Sequence, residues 1–429
     1  MIERLREKII GFLRRPDYLR VVTNFLSLSV LQGANLILPL ITFPYLVRVL
    51  GLEYFGLINF AMATLMYFET LTDYGFDLSA THQVSVNRKD PEKLRSIYSS
   101  VLTVKAMLAA ASLAVLAILV YTVPKFSAYH LIYFVTFGRL IGKSLFPVWF
   151  FQGMERMVIT TYLNLISKFV FTIAIFMFIH EPGDYLLAAG FNAMGFILPG
   201  VLATIQVRFG FGIRYKLPSM EEVREQFRDG WHVFVSRIFV NLYTTTNVFL
   251  LGLFTGNLVV GYYAVASKIV EAISSLFIPA NNALFPYMSK LFRESKERFY
   301  QLVGKLNMAY LAIGGLMIAA AMIAGKQLIQ LVNGSFDQQV HLLFLILSVK
   351  VVLAPFAPFF TNIWINQERK RQYLGIVRDT FIANMILIPP AIWFFGATGM
   401  AVVVVVINFF HLWLFIRQRI RPELIVATA

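Results

Sequence analysis

The chain has 429 residues, of which 58% are hydrophobic and only 14% charged, and its mean hydropathy is +0.69. A soluble domain carries about 25% charged residues, so this chain has too few to cover a water-facing surface and reads as an integral membrane protein. It contains no cysteine, which excludes disulfides, thiol catalysis and cysteine-based metal centres. The net charge of +15 arises from 38 Lys+Arg against 23 Asp+Glu. Most of these bases flank apolar segments, which points to membrane topology and away from nucleic acid as a partner.

Residues 1–20, MIERLREKIIGFLRRPDYLR, read as a basic amphipathic segment on the cytoplasmic membrane surface. They lack the uninterrupted apolar stretch and small-residue cleavage site of a signal peptide. Apolar stretches long enough to cross the hydrocarbon core then follow at 21–47, 55–77, 98–123, 129–151, 157–179 and 185–207. A second set lies at 231–255, 258–289, 302–324, 339–365, 374–395 and 397–416. The expected architecture is therefore all-α, with about twelve transmembrane helices. The longest connection, 208–230, separates an N-terminal lobe (21–207) from a C-terminal lobe (231–416), and residues 417–429 form a tail.

The distribution of bases sets the expected orientation. With both termini cytoplasmic, alternate connections collect the cations: Arg88, Lys89, Lys93 and Arg95; then Arg208, Arg214, Lys216, Arg224 and Arg228; then Lys290, Arg293, Lys296 and Arg298. The opposite side holds only Arg48, Lys125 and Lys326. Its connections are short (HEPGD, TGN, FGATG), with no room for the loop that a membrane polymerase or ligase would need. A faint repeat supports two related halves. LGLEYFGLINFAMA (50–63) and TGNLVVGYYAVASK (255–268) share the spacing Gly51/Gly56/Ala61 and Gly256/Gly261/Ala266.

Ionisable residues within spans are costly and normally face a cavity or a partner. Arg139, Lys143 and Lys168 in the first half, and Arg237, Lys268 and Lys350 in the second, fall at comparable depths. Together they suggest a water-filled cavity for an anionic substrate, such as a lipid bearing phosphate or pyrophosphate. Local pairing is the competing reading: Lys268 with Glu271 three residues on, Lys105 with Glu69 or Asp73, and snorkelling for Arg237. Arg139, Lys168 and Lys350 have no carboxylate within one turn of their own helices, which makes them the leading cavity residues. Glu69, Asp73 and Asp77 are spaced as an acidic stripe on one helix face, suited either to coupling H+ or Na+ or to holding nearby cations. The six histidines show no metal-ligand spacing, and neither a metal nor another cofactor is expected. Prolines recur within spans (Pro39, Pro44, Pro147, Pro199, Pro279, Pro286, Pro355, Pro358, Pro389, Pro390), as in helices of transporters whose bundles rock.

Several segments resemble a known family: LQGANLILPLITFPYLVRVLG (31–51), YFGLINFAMA (54–63), TDYGFDLSATHQVS (72–85), PVWFFQGMERM (147–157) and IPANNALFPYMSKL (278–291). In order and spacing they resemble bacterial O-antigen flippases of the Wzx type, within the multidrug/oligosaccharidyl-lipid/polysaccharide (MOP) superfamily. The resemblance implies two six-helix lobes around a central cavity, MATE-like, in the bacterial inner membrane. It also implies an undecaprenyl-pyrophosphate-linked oligosaccharide as substrate, membrane lipids as surroundings and the pathway's polysaccharide polymerase as a possible partner. Arg48 and Asp73 sit inside matching motifs; Arg48 is either a substrate contact or an anchor of the first span. The alternatives are a flippase for lipid-linked cell-wall precursors or a drug/cation antiporter of the same fold, the latter disfavoured by the basic set. A polytopic glycosyltransferase would want carboxylates in a sizeable extramembrane loop, and the long loop here is basic.

Overall fold

The computed structural model describes the backbone of residues 16–356 and 370–419. It also describes their side chains, apart from residues 16–36 and scattered positions such as 239–245. All regular structure among the described residues is helical: α1 (Pro16–Asp73), α2 (Phe76–Val86), α3 (Pro91–Thr122), α4 (Pro124–Ser127), α5 (His130–Leu145), α6 (Val148–Gly153) and α7 (Met157–Phe178). After a 3-10 turn at Pro182–Asp184 come α8 (Tyr185–Gly210), α9 (Met220–Phe254), α10 (Asn257–Ser275), α11 (Phe277–Glu294), α12 (Lys296–Asn333), α13 (Gln338–Leu353) and α14 (Lys370–Arg419). The expected basic segment 1–20 lies largely outside the described residues, as do Pro358 and most of the tail.

Among the described residues, 8 helical stretches are long and apolar enough to cross a membrane. Two of them are double. Ile37–Val86 turns at Gly51 (φ 74, ψ 167), and Gln372–Arg417 turns at Gly396 (φ 57, ψ −140). Both turns need backbone angles that a side chain resists. The shorter apolar helix Gln338–Leu353 and the C-terminal part of α9 fill the remaining expected spans, so about twelve crossings are accommodated. The expected fourth and eighth spans are each broken, at Phe146–Pro147 and at Leu276.

The helix starts follow local chemistry. Asp90 caps α3 by accepting from the Glu92 and Lys93 amides at 3.1 and 3.0 Å, with Pro91 in the first turn where its missing N–H costs nothing. Asp337 caps α13 by accepting from the Val340 amide at 2.9 Å.

The chain sorts into two compact units. One holds the residues through Thr42 and Thr64–Arg237; the other holds Phe43–Ala63 and the residues from Ile238 on. The connecting segment 208–230 thus belongs to the first unit, and the turn around Gly51 to the second.

In the first unit, a core of Phe76, Tyr98, Trp149, Phe150, Phe151 and Val207 gathers α2, α3, α6 and α8. Two of the motifs that carry the family resemblance meet there. Thr81 Oγ1 donates to the Trp149 carbonyl at 3.2 Å, and Arg88 pairs with Glu155 at 2.7 Å. A Cβ at Gly153 would lie 2.6 Å from the Val84 side chain, so only glycine permits this approach. In the second unit, the two copies of the faint repeat pack on each other. A Cβ at Gly56 would fall on the Asn257 carbonyl, and one at Gly261 on the Leu52 carbonyl. The repeated glycines are where α1 and α10 cross backbone to backbone.

Candidate functional site: an intramembrane charge cluster

The close approach of α5 and α8 builds one side of the cluster. A Cβ at Gly200 would lie 2.6 Å from the Gly142 carbonyl, and one at Gly142 would meet the Phe196 and Ile197 backbone. This proximity brings the Phe196 ring beneath two cations of α5, with Arg139 Cζ 4.8 Å and Lys143 Nζ 5.8 Å from its centroid. From α1, Glu69 reaches the same two cations. Its Oε1 lies 2.9 Å from Arg139 Nε, and its Oε2 accepts from Lys143 Nζ at 2.6 Å. The Glu69 side chain is only 6% exposed, against 20% for Arg139 and 33% for Lys143.

Lys168, midway along α7 and half-buried, feels the charges of Arg139 and Lys143. The three cations expected from the first half are therefore brought together, with Glu69 as the carboxylate between two of them. Arg139 and Lys143 thus share one carboxylate inside a bundle of apolar helices, where ionisable groups are costly without a partner.

The pairing differs from what spacing alone suggested. Arg139 lacks a carboxylate on its own helix, yet it has one from α1, a tertiary contact that periodicity does not reveal. Lys105 does pair with Asp73, at 3.2 Å, as its depth suggested. The acidic stripe is not continuous: α1 ends at Asp73, and Asp77 lies in the first turn of α2 beyond a left-handed turn at Tyr74 (φ 43) and Gly75 (φ 79). Tyr74 is held in that conformation by stacking on Phe234 at 4.8 Å and edge-on packing against Phe227 at 5.3 Å.

Of the cations expected from the second half of the chain, Lys268 and Lys350 fall in the second unit, and Arg237 ends the first. Lys350 is half-buried on α13, within electrostatic reach of Glu271 on α10. Glu271 accepts a 2.8 Å hydrogen bond from Ser267 Oγ, and Lys268 is half-buried on the same helix. The side chain of Arg237 lies outside the described residues. Arg48 has a structural partner: its guanidinium donates to the Leu331 and Val332 carbonyls, capping the C-terminus of α12 ahead of Gly334 (φ 81). This capping contact differs from both expected roles, a substrate contact or an anchor of the first span at the membrane interface.

The sequence reading missed Phe196, whose only signal is its place between glycine-compatible helices. It also missed a buried polar set in the second unit. There Asn384 Nδ2 donates to Asn247 Oδ1 at 2.9 Å, and Thr380 Oγ1 lies 2.9 Å from His411 Nδ1. No group of three or more His, Asp or Glu suited to a metal occurs among the described residues.

Comparison with known proteins agrees with this architecture. Two similar curated proteins are named for O-antigen transport. One, from Escherichia coli strain K12, is 28% identical over 88% of this chain and 92% of its own length. The other, from Shigella dysenteriae, is 27% identical over 88% of this chain and 95% of its own. Among solved structures, an inward-facing MATE-family multidrug resistance transporter of the MOP superfamily aligns with a TM-score of 0.68 and 15% identity, covering 95% of this chain and 99% of that one. The lipid II flippase MurJ in an inward closed conformation aligns with a TM-score of 0.69 and 12% identity, covering 91% and 87%. At such identities these structures speak for the fold alone, which this chain shares with both transporters. The sequence profile of the polysaccharide biosynthesis protein family matches residues 21–292, more than half of the chain, and this multi-pass membrane protein belongs to that family.

Proposed function

We propose that the chain is a flippase that carries undecaprenyl-pyrophosphate-linked O-antigen repeat units from the cytoplasmic to the periplasmic leaflet of a bacterial inner membrane. The observation that carries this reading is its similarity, over 88% of its length, to two proteins named for O-antigen transport. Membership of a polysaccharide biosynthesis family and the MOP fold support it. So does the basic character of alternate loops, which the positive-inside rule expects of a chain with both termini in the cytoplasm.

The physical problem of such transport is the head group. Sugars and pyrophosphate cannot enter hydrocarbon, whereas the polyprenyl tail need not leave it. In this account Arg139, Lys143 and Lys168, with Lys268, Lys350 and Arg237 from the other half, offset desolvation of the pyrophosphate along a polar path. Glu69 restrains two of these cations, so the anion is attracted without being trapped. Alternating access moves the head group, and a gap between helices lets the tail follow in lipid. Coupling to H+ or Na+ through Glu69 or Asp73 belongs to the same proposal. A polysaccharide polymerase would be the partner that receives the product. No reaction is catalysed.

Binding of a polyprenyl-pyrophosphate glycolipid to purified protein tests the cationic path. Arg139→Ala and Lys168→Ala should each weaken binding by about tenfold, the loss of one charge-assisted contact of about 1.4 kcal/mol. A neutral polyprenyl glycoside should bind both variants and the native chain alike. Unchanged pyrophosphate binding in both variants would remove the cluster from the path.

A further inference from the structure

The last turn of α8 carries Arg208 and its connection to α9 carries Arg214 and Lys216, and no acidic residue lies between Arg208 and Met220. It is not a loose linker. Tyr215 Oη lies 2.9 Å from Thr103 Oγ1, the Lys216 amide donates to Ser99 Oγ at 3.1 Å, and Glu222 accepts from Ser96 Oγ. Residues 215–222 therefore run along α3 toward its N-terminus, fixed at three successive turns.

The length of α3 sets the level at which this strap lies. The helix has 32 residues, about 48 Å, which exceeds a hydrocarbon core of about 30 Å. The stretch Val101–Thr122, in which Lys105 is the one charged residue, spans about 33 Å, so the more polar Pro91–Ser100 projects beyond the core. Thr103 and Ser99 straddle that boundary, which puts Tyr215 and Lys216 at the level of the lipid head groups. There Phe209, Leu217 and Met220 are 75%, 78% and 77% exposed. In water such exposure would be unfavourable; at an interface, apolar side chains enter the acyl boundary while neighbouring cations meet phosphates. The Arg208 guanidinium lies over the Phe209 ring at 5.4 Å, which pairs one charge with one of these apolar groups.

We propose that segment 208–220 is an anionic-lipid clamp: Phe209, Leu217 and Met220 insert at the membrane interface, and Arg208, Arg214 and Lys216 bind phospholipid phosphates of net negative charge. Glu222, within electrostatic reach of Lys216, has its carboxylate oxygens engaged by Ser96 Oγ and the Ser219 amide. The clamp rests on the membrane-spanning fold and is independent of the cargo.

Two measurements test it. The chain has no native cysteine, so L217C can be spin-labelled as a single site in phosphatidylglycerol vesicles. The label should be accessible to oxygen and shielded from a water-soluble nickel reagent; full access by nickel would overturn the insertion. Native mass spectrometry with equimolar phosphatidylglycerol and phosphatidylcholine provides the second. R208Q/R214Q/K216Q should lower phosphatidylglycerol retention by about fivefold or more, whereas K290Q/R293Q on α11 should not change it. Equal retention by the triple variant and the native chain would overturn the charge assignment. L217C decides the insertion alone; if the triple variant folds poorly, R214Q/K216Q decides the charge assignment by the same comparison, unchanged phosphatidylglycerol retention again overturning it.

Discussion

Glu69 Oε2 accepts a 2.6 Å hydrogen bond from Lys143 Nζ while its other oxygen lies 2.9 Å from Arg139, so one buried carboxylate serves two intramembrane cations. Glu69→Gln removes that countercharge and leaves both cations facing each other and Lys168. Breaking a buried pair costs about 3–5 kcal/mol, and the cations' residual exposure of 20% and 33% puts this site at the lower end, about 3 kcal/mol. Thermal unfolding of the solubilised protein should show the loss. Adding Arg139→Gln should recover part of it, and a double variant as unstable as the sum of the singles would contradict the pairing.

The crossing of α1 and α10 allows no side chain at Gly56 or Gly261. Gly56→Ala and Gly261→Ala should each destabilise by about 1–3 kcal/mol through overpacking. Gly315→Ala, where nothing lies within 4 Å, should be neutral or slightly stabilising. Equal melting temperatures for all three would mean that the helices do not meet at these glycines.

Arg48 caps α12, so its substitution should reduce stability more than substrate binding. Arg48→Gln should lower stability by about 1.5–3 kcal/mol, the worth of charge-assisted hydrogen bonds to backbone carbonyls. Glycolipid affinity of the folded fraction should be unchanged. An affinity loss without a stability loss would return Arg48 to the substrate path.

Acid sensitivity has an identifiable contributor outside the spans. Hydrogen bonds from Ser96 and the Ser219 amide hold the Glu222 carboxyl below its ordinary value of 4.5. The folded state thus favours the charged form. Its contribution to stability is complete above about 4.5 and is lost as the pH falls through the lower folded value. Glu222→Gln should therefore melt lower than the native chain at neutral pH, and the difference should shrink as the pH is taken below the ordinary carboxyl value of 4.5. A pH-independent difference would contradict this assignment.

How much the sequence disclosed depended on how far apart the interacting residues lie. Hydropathy and base placement were enough for the spans, because both are properties of contiguous segments. The pairing of Lys105 with Asp73 was legible because both sit at one depth from the same face. The Arg139–Glu69 pair was not, because its partners come from α5 and α1, and no periodicity records which helices touch. Asp77 was read onto the α1 face because a four-residue spacing assumes unbroken helix; the left-handed Tyr74 and Gly75 break it. The repeat glycines were noticed as a pattern, but only the packing of Gly56 against Gly261 gives the pattern its cause.

The most direct test of the flippase account is leaflet translocation in proteoliposomes. Purified chain is reconstituted with a fluorescent polyprenyl-pyrophosphate glycolipid, and an impermeant reagent reports the fraction in each leaflet. The account predicts movement well above that in protein-free vesicles, sensitive to an imposed H+ or Na+ gradient and slowed by Lys168→Ala. Movement no faster than in empty vesicles under every imposed gradient would contradict it.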